Sequence, residues 1–144
     1  MLKIITQLTD PLLSYIKDDP VRPEIPVEFR VSKNTEVFAL VDEQEKLTAM
    51  VCVAYRDFVP KDTVDLSQEP TDPNIAVFYT IWSYAPGAGR DLIVEARREL
   101  PRRLPHIKKF VTLSPQTELA RKFHLKNGAS IYSENATSVN YEYE

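Results

Sequence analysis

The strongest constraint on the fold is the stretch IAVFYTIWSYAPGAGRDLI, in which an apolar strand runs through two glycines into a helix. Both alternating faces of residues 75–84 are mostly apolar, which predicts a strand covered on two sides and central to a sheet. Apolar residues then recur at helical spacing from Leu92 to Leu100. Glycines at a helix start leave backbone N–H groups open to an anion, because no Cβ blocks the approach. This order predicts an anion site, with a simple tight turn as the alternative.

Composition limits the class of protein. The length of 144 residues predicts one domain over 1–144. The single cysteine, Cys52, excludes an intramolecular disulfide and predicts a buried thiol in a reducing compartment. No window approaches the roughly 20 apolar residues of a membrane span, and no secretory signal opens the chain, so a cytoplasmic protein without membrane contact is expected. One cysteine and two histidines without ligand-like spacing predict no metal site.

The net charge of −3 conceals a basic segment. Residues 86–126 carry ten Lys or Arg and four Asp or Glu, whereas the rest of the chain carries eight and seventeen. This distribution favours an anionic partner, with solvated helix faces as the alternative. Nucleic acid is disfavoured, because the basic residues lack interleaved exposed aromatic residues and the whole chain is acidic.

Periodicity and turn residues predict the elements of the first half. A short helix is expected at 9–18, followed by a proline-bearing extended surface segment at 19–29. The runs EVFALVD (36–42) and LTAMVCVAYRD (47–57) predict an antiparallel hairpin. The polar segment 58–74 is expected to form a long loop.

In the second half, Pro101 is expected to end or kink the long helix. The run KFVTL predicts another strand, and Ser114 followed by proline predicts the start of a helix. That helix is expected to reach Asn127, with Gly128 as a left-handed C-cap. The runs ASIYS and SVNYEY predict two final strands.

Thr80 and His124 are the residues on these elements that could carry chemistry. Alternation places Thr80 on the face of the central strand that also bears Phe78 and Trp82, where a threonine is usually satisfied by a backbone carbonyl. His124 lies in a last helical turn at the edge of the apolar arc. A charged histidine there gains about 0.3–1 kcal/mol from the helix dipole, so a structural role and a proton-transfer role both explain it.

The order hairpin, central strand, glycine turn, helix, strand, helix and strands resembles the GCN5-related N-acetyltransferase fold. The resemblance implies an α+β, three-layer architecture, with a central mixed and mostly antiparallel sheet flanked by helices. In that superfamily a pattern Q/R-x-x-G-x-G/A receives the pyrophosphate of coenzyme A. The matching stretch here is YAPGAG, in which Tyr84 replaces the leading residue. Many members end the last helix with F-Y-x-K-x-G-F, whereas this chain has FHLKNGA, so His124 occupies the tyrosine position.

Further stretches resemble the malonyl-CoA decarboxylases in particular. The opening stretch is similar to that family's FYSIS, glycine turn and FLI helix start. RELPRRLPHIKKFVTLSP is similar to ELxxxFPHLxxFxxLSP, ARKFHLKNGA to ARFHLxNGA, and VNYEYE to VNYLYD. The resemblance covers roughly residues 30–143.

The resemblance implies a carbon–carbon lyase of fatty acid metabolism that converts malonyl-CoA to acetyl-CoA and CO₂ through an enolate. Thr80 and His124 would be the catalytic pair, in the places of the family's serine and histidine. No cofactor is implied beyond the coenzyme A moiety of the substrate. The residues expected to contact coenzyme A are Ile81, Trp82, Pro86, Gly87, Ala88, Gly89, Arg90 and Ser114.

Two departures from the decarboxylase pattern leave questions open. Cys52 stands where the family's strand motif VEVAL has a glutamate. The family's N-terminal helical region has no counterpart here, which leaves the assembly open, with a homodimer as one option.

An N-acetyltransferase, with Tyr84 or Tyr132 as the acid for the departing thiolate, is a second function. A non-catalytic acyl-CoA-binding protein that keeps only the glycine turn is a third.

Overall fold

The computed structural model describes residues 1–144 as a seven-stranded sheet with helices on both faces. The strands are β1 (Leu2–Ile5), β2 (Thr35–Val41), β3 (Leu47–Arg56), β4 (Ile75–Ser83), β5 (Lys109–Thr112), β6 (Ser130–Glu134) and β7 (Val139–Tyr143). The helices are α1 (Val27–Arg30), α2 (Thr63–Leu66), α3 (Ala88–Arg103) and α4 (Glu118–Lys126), and Pro11–Asp18 form a 3₁₀ helix. None of these helices combines the length and apolar character needed to cross a membrane.

The strand order is β1-β2-β3-β4-β5-β7-β6, so β4 lies at the centre of the sheet as predicted. Every neighbouring pair is antiparallel except β4 and β5, which are parallel. Parallel neighbours need a long crossover, and α3 provides it on one face of the sheet. The predicted architecture, a mixed and mostly antiparallel sheet between helices, is confirmed.

The strands β4 and β5 diverge halfway along β4. Their paired residues end at Phe78 and Thr112, and the last backbone hydrogen bond between the two segments runs from Leu113 N–H to the Phe78 carbonyl. Ser114 then exchanges two backbone hydrogen bonds of 2.9 Å with Val139 at the start of β7. The second half of β4 is therefore left without a partner on its β5 side, and a gap opens there.

A β-bulge in β4 decides which face Thr80 occupies. Cys52 of β3 pairs with Thr80, whereas the following β3 residue pairs with Phe78, so Tyr79 is an extra residue. Phe78 lies in the apolar layer under α3, and Trp82 lies in the opposite layer together with Cys52. Thr80 shares its face with Trp82 as expected but not with Phe78. That part of the sequence-based expectation is wrong, because simple alternation does not survive a bulge.

The predicted hairpin, the strand after α3, the two final strands and the C-terminal cap of α4 are confirmed. Gly128 has φ 101°, directly after the C-cap Asn127, which is the left-handed geometry that glycine tolerates best. The expected helix near the N-terminus is a 3₁₀ helix capped by Asp10, whose carboxylate accepts the Leu12 N–H at 2.9 Å.

Four expectations about where helices lie differ from the structure. The extended segment 19–29 runs into the one-turn α1, and the loop 58–74 contains the one-turn α2. Pro101 does not end α3 but lies in its last turn, two residues before the helix stops. Ser114 does not start α4, because its backbone is bonded to β7. Thr117 caps the helix instead, with its hydroxyl accepting the Ala120 N–H.

Candidate active site

A groove of about 540 Å³ opens where β4 and β5 diverge. It is bounded by β4, the start of α3, the segment after β5 and one face of α4, and no Lys, Arg, Asp or Glu lines it. The structure brings six of the residues predicted from the sequence to this groove: Thr80, Ile81, Trp82, Gly89, Ser114 and His124. The other four, Pro86, Gly87, Ala88 and Arg90, do not line it.

The hydroxyl of Thr80 is buried and already engaged. It donates a hydrogen bond of 2.8 Å to Asp19 Oδ1, while Asp19 Oδ2 accepts from Arg30 Nη1 at 2.7 Å. The side chains of Asp19 and Arg30 are both 0% exposed, so the pair is a fully buried ion pair. A hydroxyl has one hydrogen, so Thr80 presents only lone pairs to the groove while this bond is made.

Asp19 stays ionised despite its burial. Burial alone would raise the pKa of this carboxyl, but hydrogen bonds from the Arg22 amide, Arg30, the Val21 amide and Thr80 hold its pKa below the usual value. Arg30 is in turn held by the carbonyls of Ile25 and Arg22. The carboxylate beside Thr80 therefore comes from the segment before α1.

Cys52, which takes the position of the family's glutamate, provides no charge to the site. It is 0% exposed, and burial raises the pKa of its thiol to about 11, against the influence of Arg30 at 3.5 Å. The predicted buried thiol is thus confirmed, and the only carboxylate that contacts Thr80 is Asp19.

Arg22 ties the two diverging strands together at the floor of the gap. Its Nε donates to the Tyr79 carbonyl at 3.0 Å, and its Nη2 donates to the Leu113 carbonyl at 2.8 Å. These bonds take the place of the ladder that β4 and β5 lose beyond Phe78. The width of the groove is consequently set by a side chain from the segment before α1.

His124 reaches the groove from α4 and is only 4% exposed. Its Nδ1 lies 2.7 Å from the Tyr143 hydroxyl, and its ring stacks on Tyr141 with centroids 4.9 Å apart. Burial lowers the pKa of His124 to about 4. The cause is the packing of the aromatic rings of β7, which remove solvent from the His124 ring and disfavour its charged form. At neutral pH the ring is uncharged and draws nothing from the helix dipole.

The hydrogen-bond pattern fixes the tautomer of His124. Burial raises the pKa of Tyr143, so its phenol is protonated, and Nδ1 is its only hydrogen-bond partner. We infer that Tyr143 donates to Nδ1, because the reverse arrangement would leave the phenol hydrogen without an acceptor. The ring proton then sits on Nε2. Nε2 has no hydrogen-bond partner within the protein. It is nevertheless not among the fully buried polar atoms without a partner, which are Tyr79 Oη and Arg97 Nε, so Nε2 keeps some solvent access.

The lowered pKa of His124 predicts an acid-sensitive fold. The unfolded chain binds a proton here near pH 6.5, whereas the folded protein does so only near pH 4. The neutral side chain therefore stabilises the fold fully above pH 6.5, and this contribution of up to about 3 kcal/mol is lost as the pH falls towards 4. Urea unfolding should give a lower free energy of unfolding at pH 4.5 than at pH 7.5. In His124→Asn most of this difference between the two pH values should disappear. An equal loss in both proteins would contradict the assignment.

The glycine turn has the geometry that an anion site needs. Gly87 is the N-cap of α3 with φ 77°, and the N–H groups of Gly89 and Arg90 make no hydrogen bond within the protein. A Cβ on Gly89 would lie 3.3 Å from the Phe123 ring, so a side chain there would crowd the groove. Arg90 is exposed beside the turn. Binding of a phosphate at this helix start stays a prediction.

Two of the remaining candidates lie in another groove, and the hydroxyls of two more are already engaged. Pro86 and Ala88 line a separate groove beside α3, and the Ser114 hydroxyl donates to Thr112 at 2.7 Å. The Tyr84 hydroxyl accepts from Trp82 and donates to Asp18 rather than lining the groove.

Tyr132, the other tyrosine considered as an acid, lies on the outer strand β6 with the Lys109 ammonium over its ring. Neither Tyr84 nor Tyr132 faces the site where a thiolate would depart.

Sequence reasoning missed Asp19, Arg22 and Arg30. All three lie in or beside the proline-bearing segment that was expected to be an exposed connection. The bond from Thr80 to Asp19 spans 61 residues, and no local pattern announces it. The one sign in the sequence was the three prolines of this segment, which restrict its backbone and favour an ordered rather than a mobile connection.

Comparison with solved structures identifies relatives of this fold. Malonyl-CoA decarboxylase from Agrobacterium vitis superposes with a TM-score of 0.68 and 28% identity, over 85% of this chain and 35% of that one. The same enzyme from Rhodopseudomonas palustris gives 0.77 and 20%, over 99% and 59%. PaiA N-acetyltransferase from Thermoplasma acidophilum, in complex with coenzyme A, gives 0.63 and 11%, over 100% and 99%.

The chain thus spans between about a third and three fifths of the length of these decarboxylases but nearly all of the acetyltransferase. No protein-family model matches the sequence, and no curated protein matches it significantly. The resemblance noted in the sequence is confirmed at the level of structure: the chain has the GCN5-related N-acetyltransferase fold, in the form that the malonyl-CoA decarboxylases also share.

Proposed function

We propose that this protein decarboxylates malonyl-CoA to acetyl-CoA and CO₂. The observation that carries the proposal is that Thr80 and His124, from the central strand and from α4, line one groove without a charged side chain. No cationic side chain lines this groove, and the nearby Arg22 guanidinium donates to the Tyr79 and Leu113 carbonyls. The groove therefore favours a reaction in which the negative charge leaves the carboxylate as the carbon–carbon bond breaks.

Loss of CO₂ moves the bonding electron pair into an enolate whose charge rests on the thioester oxygen. Beyond Phe78, β4 has no partner on its β5 side, so its backbone N–H groups on that edge are available as donors. Preorganised donors at the position where charge develops lower the barrier without any reorganisation. This is the role we propose for the exposed edge of β4.

His124 is the proposed proton donor to the enolate carbon. His124 lines the groove with Nδ1 engaged by Tyr143, which leaves Nε2–H as the donor, and a thioester enolate is basic enough to take a proton from a neutral imidazole. As Nε2 loses its proton, Nδ1 can accept the one that Tyr143 donates, and the resulting phenolate recovers a proton from solvent after the product leaves, which restores the starting state. Because the neutral ring is the active form, turnover should be nearly constant from about pH 6 to pH 9.

The test is incubation of the protein with malonyl-CoA in the absence of any amine. Acetyl-CoA with its thioester intact, released together with CO₂, is the expected product, with the catalytically altered His124→Asn protein as the blank. Appearance of free thiol only after an amine is added would replace this proposal by acyl transfer. Binding without turnover of either kind would leave a protein that only holds acyl-CoA.

An N-acetyltransferase is the second candidate, and one observation favours it. The Thr80 oxygen offers lone pairs to the groove, and these suit an N–H donor such as an amine. The lack of any carboxylate lining the groove speaks against it, because a protonated amine would meet no counter-charge. A second argument against acyl transfer is that neither Tyr84 nor Tyr132 lines the groove, where one of them would have to act as the acid for the departing thiolate.

A further inference from the structure

We propose that Asp19, held by Arg30, is a positioning residue that keeps Thr80 a hydrogen-bond acceptor towards the groove. This rests on the proposed function. If the protein is a decarboxylase, the bond from Thr80 to Asp19 leaves an acceptor oxygen facing the substrate. That oxygen repels a bound carboxylate but does not repel the departing CO₂. Asp19 does not touch the substrate but acts through the Thr80 hydroxyl.

Asp19 is fixed from three sides, so its oxygen cannot follow a moving hydroxyl. The backbone N–H groups of Val21 and Arg22 donate to Oδ1 at 2.8 and 3.0 Å, and Arg30 donates to Oδ2 at 2.7 Å. Thr80 completes the set at 2.8 Å. All of these bonds persist if the Thr80 hydroxyl turns away, except the one that it makes itself.

The direction of the Thr80 hydroxyl follows from a competition between two acceptors. A bond to an ionised carboxylate is roughly twice as strong as a bond to a neutral oxygen. In the resting protein the hydroxyl has Asp19 at ideal distance. A substrate carboxylate that claimed the proton would break one charge-assisted bond to make another, so it gains little. It instead meets the lone pairs of Thr80.

That arrangement discriminates between ground state and product. A carboxylate beside an acceptor oxygen is repelled, and the repulsion fades as the carboxylate becomes neutral CO₂ and the electron pair moves into the thioester. An interaction that improves along the reaction raises kcat rather than affinity. The absence of a charged residue in the groove lining leaves this contact uncompensated.

The experiment compares the dissociation constants of malonyl-CoA and acetyl-CoA by calorimetry. It compares the unchanged Asp19 and Thr80 pair with Asp19→Asn, Thr80→Val and the double variant, each in a His124→Asn background so that malonyl-CoA is not consumed during the titration. Asparagine at position 19 is a weaker acceptor, so the Thr80 hydroxyl should turn to the substrate carboxylate. The affinity for malonyl-CoA relative to acetyl-CoA should then rise about tenfold, whereas kcat and KM for decarboxylation, measured with His124 in place, should both fall.

The matched control is Thr80→Val, which has no hydroxyl to turn. In that background Asp19→Asn should leave the affinity ratio unchanged, whereas a merely structural effect of Asp19 would alter both thioesters alike. An unchanged ratio in Asp19→Asn would overturn the proposal. A selective loss of malonyl-CoA affinity in Thr80→Val would do the same, because it would show that Thr80 donates to the carboxylate. This second arm decides the matter even where Asp19→Asn does not fold.

These binding ratios separate the two proposals. If the wild type binds both thioesters but forms no acetyl-CoA, the proposed function fails while the ratios still decide the state of the Thr80 hydroxyl. If the wild type decarboxylates malonyl-CoA and the ratios do not move, the function stands and the role of Asp19 fails. If neither thioester binds, both fall.

Discussion

Replacing His124 by asparagine should lower kcat for malonyl-CoA decarboxylation by about 10²–10⁴-fold and leave the affinity for coenzyme A nearly unchanged. Asparagine keeps a polar side chain on α4, but its amide cannot pass a proton from Tyr143 to the substrate as the two nitrogens of an imidazole ring can. The measurement is steady-state release of acetyl-CoA, together with calorimetry of coenzyme A binding.

The second histidine supplies the matched control. His106 is exposed and lines a different groove, which shares no residue with the candidate active site, so His106→Asn should retain the wild-type rate. Tyr143→Phe should fall between the two, because it removes the proton supply but leaves the ring stacked on Tyr141. A near-normal rate in His124→Asn would remove His124 from the mechanism.

Replacing Arg30 by methionine should lower the free energy of unfolding by about 3–5 kcal/mol. The substitution leaves the Asp19 carboxylate buried without its counter-ion, since both side chains are 0% exposed. Urea unfolding followed by far-UV circular dichroism would measure the loss at pH 7.5.

Two controls show whether the loss comes from the stranded charge. The double variant Arg30→Met with Asp19→Leu removes both charges and should recover most of the stability, because desolvation of Asp19 no longer opposes folding. Arg98→Met removes an exposed pair with Glu95, whose side chains are 57% and 41% exposed, and should cost less than about 1 kcal/mol. A similarly small loss in Arg30→Met would mean that solvent or backbone groups satisfy Asp19.

The sequence made the centre of the fold predictable and left the chemistry of the site incomplete. Apolar faces on both sides of β4 are a local property, and so are glycines that precede a helical repeat. The resemblance then pointed to Thr80 and His124, and both do line one groove. What neither source revealed was the state of those two side chains, which depends on partners distant in the chain.

The bulge at Tyr79 illustrates why. A single extra residue reverses alternation, and nothing in the run IAVFYTIWSY marks which residue is extra. The neutral state of His124 likewise arises only when Tyr141 and Tyr143 are packed against it from β7. The pKa of a side chain is a property of its tertiary surroundings, so the sequence alone could not decide between a charged and a neutral ring at His124.

Residues 19–30 form one continuous segment that frames the site. These twelve residues hold the carboxylate that orients Thr80, the guanidinium that bridges the Tyr79 and Leu113 carbonyls, and the counter-ion Arg30 that bonds to both Asp19 and Arg22. Consider a chimaera in which β4 or α4 comes from a relative but residues 19–30 do not. It would carry the reacting groups without the segment that sets their spacing and polarity. Transplanting the site therefore requires moving a stretch that contains neither of its reacting side chains.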